Sequence, residues 1–82
     1  MRIPFKSRHL YFETIEELDD TYAVGNKHTR IRLGEIVYSI EWRTYIFNPL
    51  EDTFYDAACL YDIQLFLMQL NAMKVRKDVG VV

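Results

Sequence analysis

Cysteine is nearly missing from this chain. Its one cysteine, Cys59, cannot close an internal disulfide, which excludes a small disulfide-stapled secreted scaffold. Glycine is scarce too. There are three, with neither a G-x-G-x-x-G run nor a P-loop, so no loop is built to cradle a phosphate. Two prolines, no repeat and no low-complexity tract leave no linker, and 82 residues make one domain. No apolar run reaches the roughly 18 residues of a membrane span. The opening MRIPFKSRHLYFE lacks the apolar stretch of a secretory signal. Neither charge is in large excess: ten basic and twelve acidic side chains give a formal −2, no general drive toward nucleic acid or an anionic membrane. The expected setting is soluble, reducing and cytoplasmic, with no membrane attachment.

What is present is apolar and aromatic. Half of the residues are hydrophobic and 15% are aromatic, which argues for a folded core. In so short a chain only about two-thirds of the unfolded surface is buried, so that core is thin. Arg8 to Glu13 reads as a strand. Thr14 and Glu17 fit a T-x-x-E capping box, permitting one helical turn through Asp19, with a loop as the alternative. Gly25–Asn26 is a turn signal between Thr21–Val24 and Thr29–Leu33. Ile31 and Leu33 are apolar at odd positions, whereas Ile36, Tyr38 and Ile40 are apolar at even ones. A strand has period two, so the shift needs an extra residue, and Gly34 is the natural place for a bulge. Tyr45 and Phe47 restore the odd phase after a hairpin turn at Glu41–Trp42. Pro49 has no N–H to donate and ends the ladder, and Asn48 to Asp52 make the next turn.

Asp56 reads as the N-cap of a long helix, with Tyr55 and Leu60 as a hydrophobic staple. The helix is predicted from Ala57 to about Lys77, where Lys74, Arg76 and Lys77 suit the dipole at its C-terminal end. At 100° per residue it carries two apolar seams. Leu60, Ile63, Leu67 and Leu70 form the first, widened by Cys59, Phe66 and Met73. Tyr61, Leu65, Met68, Ala72 and Val75 form the second, on the far side. A small sheet covers one seam. The other needs a second copy or another protein, unless the first fifty residues wrap the whole helix. Covering four large side chains is worth on the order of 6–10 kcal/mol before association costs.

Little else suggests chemistry. Cys59 lies at N3, where a helix dipole can lower a thiol pKa, but it also falls on the core seam and reads as inert. His9 and His28 are isolated in sequence and make no metal-ligand spacing. The acidic residues from Glu13 to Asp20 read as a solvated loop, with metal binding or mimicry of DNA phosphate as alternatives. No nucleophile–base set, cofactor site or metal site is expected, and the chain is read as non-enzymatic. Two surfaces could recognise a partner. Trp42, Arg43 and Tyr45 are one, set against a structural reading in which Trp42 closes the core edge beneath the Arg43 stem. Arg30 and Arg32, sharing a sheet face with Lys27 beside them and Arg43 able to join, are the other, a basic patch for nucleic acid.

The C-terminal half resembles a type of small, uncharacterised phage and prophage protein. The resemblance rests on W-R-x-Y-x-F-x-P from Trp42 to Pro49, Thr53 to Tyr55, C-L-x-D-I-x-x-F from Cys59 to Phe66, and Leu70–Asn71. Gly34-Glu35-Ile36 matches the stretch preceding the hairpin in that type. The match spans residues 34–71 and implies a ββα unit and a viral origin. It brings no established activity. The expected fold is α+β: an antiparallel sheet with one long C-terminal helix across a face. Residues 1–33 supply N-terminal strands and loops, 34–77 the ββα unit, and 78–82 a tail. The expected function is that of a phage-encoded accessory factor that forms a homodimer or binds a host protein through the outer helix seam.

Overall fold

The computed structural model describes residues 7–81, with side chains through Lys74. Four strands, β1 (Leu10–Thr14), β2 (Thr21–Asn26), β3 (Arg32–Ser39) and β4 (Thr44–Pro49), pair in chain order into one antiparallel sheet. One helix, α1 (Ala57–Val81), crosses a face of it, so the fold is α+β. The two strands before residue 33, β1 and β2, make half of the sheet. The helix runs past the expected end at Lys77, and residues 78–81 of the supposed tail are helical.

The phase change near Gly34 is a bulge in β3. Val24 faces Gly34, but Gly25 faces Arg32, so Leu33 is the extra residue. That lets odd Leu33 and even Ile36 both pack on the core. Gly34 is required by space. A Cβ there would lie 2.5 Å from the Asn48 carbonyl oxygen and 2.8 Å from the Phe47 ring. The turn signal at Gly25–Asn26 falls elsewhere. Both residues stay in β2, and Gly25 leaves room for the Tyr11 ring laid against it. Asn26 shapes the turn that follows, its Oδ1 accepting from the His28 and Thr29 N–H groups. Ile31 lies in that turn and is exposed. Residues 15–20 are a turn and not a helix. The Leu18 N–H donates to the Ile15 carbonyl, and the chain closes when the Ile15 N–H reaches the Thr21 carbonyl. All four connections use a residue in the left-handed region where glycine would be easiest: Asp20, Arg30, Arg43 and Asp52.

Leu10, Val24, Ile36, Tyr45, Ile63, Phe66 and Leu70 form the core. Phe66 stacks on Phe12 at 4.2 Å and meets the Tyr22 ring edge-on. This large pair rotates the helix so that Ile63, Phe66 and Leu70 face inward. Leu60, assigned to the inner seam, is half exposed, so the expected staple with Tyr55 does not bury it. Tyr55 instead packs edge-on against Phe47 and donates its hydroxyl to the Leu33 carbonyl. Asp56 caps the helix as read from sequence, its carboxylate accepting from the Cys59 N–H at 2.8 Å. At the other end of β1, Ser7 Oγ donates to Asp62 Oδ2 at 2.5 Å and ties the strand to the helix.

The outer margin of β4 offers few donors. The Leu50 N–H bonds inward to the Leu33 carbonyl, so alternation turns the N–H positions of residues 45, 47 and 49 outward. Residue 49 is proline, and the Tyr45 N–H donates to Asn71 Oδ1 at 3.0 Å. Only the Phe47 position remains.

Candidate functional site

The helix brings four of the five residues of its expected outer seam to the surface. Tyr61, Leu65 and Met68 are 59%, 38% and 58% exposed, and Ala72 is exposed with them. The Val75 side chain lies outside the described residues. Leu60, which the sequence placed inside, adds to this face. Between Ala57 and Met73 the helix carries a single charge, Asp62, and its carboxylate accepts from Ser7. A surface helix ordinarily turns charged side chains to water. This one turns apolar and amide side chains outward.

Trp42 does not close the core. The residue is 74% exposed at the β3–β4 turn, where its backbone N–H donates to Ser39 Oγ at 3.1 Å. Ile40, read as the last inward residue of β3, is 84% exposed because the strand ends at Ser39. Tyr45 leaves the suggested recognition surface altogether. It is buried, and its hydroxyl donates to Asp20 Oδ1 at 2.8 Å. Lys74 also donates to Asp20, at 3.2 Å, and lies 4.3 Å over the Tyr38 ring. The stem of Arg43 was expected over Trp42. The cation–π pairs among the described residues are instead Lys74 with Tyr38 and Arg30 with Tyr11.

The basic patch is less open than its sequence suggests. Arg30 lies 4.1 Å over Tyr11 and pairs with Glu13 at 2.9 Å. Arg32 faces Glu35 at 3.9 Å, and Lys27 Nζ donates to the Ser7 carbonyl. Exposed pairs of this kind contribute only about 0–1 kcal/mol, but each cation has a neighbour. Arg43 does not join them, because the β2–β3 and β3–β4 turns leave opposite ends of the meander.

His9 and His28, far apart in sequence, bring their rings to 6.4 Å. No group of three or more metal-ligating side chains occurs among the described residues. Cys59 is partly buried, and burial followed by its contact with the Asp56 carboxylate pushes the thiol pKa up. That is opposite to what activation by a helix N-terminus would give. No described helix is long and apolar enough to cross a membrane.

Two tyrosines packed in or against the core carry a pH signature. Burial, then the Asp20 hydrogen bond and charge, raise Tyr45 well above the ordinary 10.0. Tyr22 rises for similar reasons, burial first and the Asp20 charge second. A raised phenol pKa means that the unfolded chain ionises first. The stabilisation is complete below pH of about 10 and is lost as pH climbs toward the folded values. Urea midpoints are expected to hold up to pH of about 9 and fall beyond pH of about 10, and Tyr45→Phe should flatten the fall. A midpoint constant to pH of about 11 would contradict the assignment.

No protein-family model, curated protein or solved structure matches this chain.

Proposed function

We propose that this chain is a non-enzymatic interaction protein, an accessory factor of the phage type its motif resembles, which pairs with a second copy of itself through the outer face of α1. The supporting observation is the run of exposed apolar residues along a helix face without charge. Two such faces related by a two-fold axis meet without like-charge repulsion, which a charged face would impose. The exposed parts of Leu60, Tyr61, Leu65 and Met68 amount to on the order of 400 Å², about half of the ~800 Å² per partner in a standard interface. The pairing is therefore reversible and depends on concentration. Nucleic acid at Lys27, Arg30 and Arg32 is the weaker reading, because each cation already faces a carbonyl or carboxylate.

Sedimentation or light scattering across micromolar to millimolar protein should show a monomer passing to a dimer. Leu65→Glu with Met68→Glu should hold it monomeric while the urea midpoint of the monomer stays in place. A monomer at millimolar concentration would remove self-association, and a dimer surviving both substitutions would move it off this face. A different protein on the same face would appear as a heterologous complex abolished by the same pair.

A further inference from the structure

We infer that the sheet end carrying the β1–β2 and β3–β4 connections is a second interaction surface, separate from the helix face, and that it takes a basic amphipathic segment of a partner protein. In a meander these two connections leave the same end. They flank the β2–β3 pair, so strand spacing sets them about 10 Å apart. The Tyr45–Asp20 and Lys74–Asp20 bonds fasten the first connection to the root of the second and to the helix.

Three large apolar side chains stand in water here: Ile40 and Trp42 on one connection and Leu18 on the other. None joins the core cluster, so their apolar surface does not serve the fold. The turn that presents Trp42 is nevertheless held. Ser39 pairs with Thr44 across its base, Ser39 Oγ fixes the Trp42 N–H, and Arg43 closes it at φ 55°. An aromatic anchor on a pre-ordered turn loses little conformational freedom when it enters a pocket.

The surrounding charge selects the partner. Glu16, Glu17, Asp19 and Glu41 are all exposed, and Arg43 is the cation of the two connections. Lys74 is the other described cation at this end and is held by Asp20, so Glu16, Glu17, Asp19 and Glu41 outnumber Arg43 among the remaining charges of the two connections. An anionic bilayer or a nucleic acid would be repelled by that rim. A segment with an apolar stripe flanked by Lys or Arg meets both features at once.

The sequence contains one tryptophan, so Trp42 reports on its own surroundings. The probes are two synthetic tryptophan-free helical peptides, one of Lys and Leu and one of Glu and Leu. The Lys/Leu peptide should shift Trp42 emission to the blue with a saturable titration. Binding should weaken about tenfold or more when salt rises from about 50 to about 300 mM. The Glu/Leu peptide should leave emission unchanged. Leu18→Ser with Ile40→Ser should weaken binding about tenfold. So should neutralising the acids as Glu16→Gln, Glu17→Gln, Asp19→Asn and Glu41→Gln. All six positions are exposed or half exposed, and an unchanged urea midpoint verifies that each variant is folded. Equal binding of both peptides, no shift with either, or parental affinity in either variant would overturn the inference. Repeating the titration in Leu65→Glu/Met68→Glu separates the two surfaces. Retained binding supports a distinct site, and lost binding places the peptide on the helix, overturning this inference while leaving self-association to its own test.

Discussion

Phe66→Ala is expected to lower the unfolding free energy by about 3–5 kcal/mol, the range for truncating a buried aromatic. Phe66 is 1% exposed, and its ring is held between the Phe12 face and the Tyr22 edge. These contacts help join the helix to the first two strands, beside the Ser7–Asp62 bond and the packing of Ile63 and Leu70 in the same core. The neighbours cannot collapse into the space without moving an entire strand, which puts the effect toward the upper end of that range. Domains have only about 5–15 kcal/mol in total, and a thin core belongs near the bottom of it. The variant should therefore be substantially unfolded at ambient temperature or unfold in very dilute urea. Phe54→Ala is the control. Phe54 is 90% exposed, and its replacement should move the midpoint by no more than about 0.5 kcal/mol. A loss below about 1.5 kcal/mol for Phe66→Ala would mean that the ring pair does not dock the helix.

The second large effect separates two glycines. Gly34→Ala should cost about 1–3 kcal/mol, and Gly25→Ala distinctly less. At Gly34 the new methyl group meets the Asn48 carbonyl oxygen at 2.5 Å and the Phe47 ring at 2.8 and 2.9 Å. The first obstacle is backbone of a paired strand, so relief requires β3 and β4 to part. At Gly25 the atoms in the way are the far end of the Tyr11 side chain, which sits on edge strand β1 and can swing outward. Neither glycine has a positive φ, so the difference is one of space and not of backbone strain. Equal losses in denaturant melts would show that Tyr11 is as immovable as the backbone.

Why some of this was legible from residues, and some not, follows from the range of each interaction. The phase shift between Leu33 and Ile36 is visible because a strand alternates strictly, and any break must be absorbed nearby. Asp56 acts on a group three residues away, so its role could be read in place. Pro49 does not end the ladder by its missing N–H, which faces outward, and the Leu50 N–H beyond it still bonds to the Leu33 carbonyl. Gly25–Asn26 misled because the same dipeptide that makes a tight turn also serves a strand whose glycine lies under a ring from another strand. The rotation of the helix depends on Phe12, far from Phe66 in the chain, and periodicity alone gives the two seams without saying which lines lie deepest. Size alone leaves Trp42 two readings, closing the core edge or standing on an exposed recognition surface. Which way a turn presents its ring depends on where the strand stops, and β3 stops at Ser39. The neighbours that occupy Lys27, Arg30 and Arg32 come from residues 7, 13 and 35, so a basic run in the sequence became a set of local pairs in the fold.

The loss of outward donors on β4 to Asn71 and Pro49 bears on how molecules of this kind accumulate. A bare strand margin recruits further strands and seeds cross-β fibres. Here a newcomer would find one amide hydrogen in three positions. Outward carbonyls of residues 45, 47 and 49 can still accept, but with most of the donors gone that flank is a poor template for a continuous ladder.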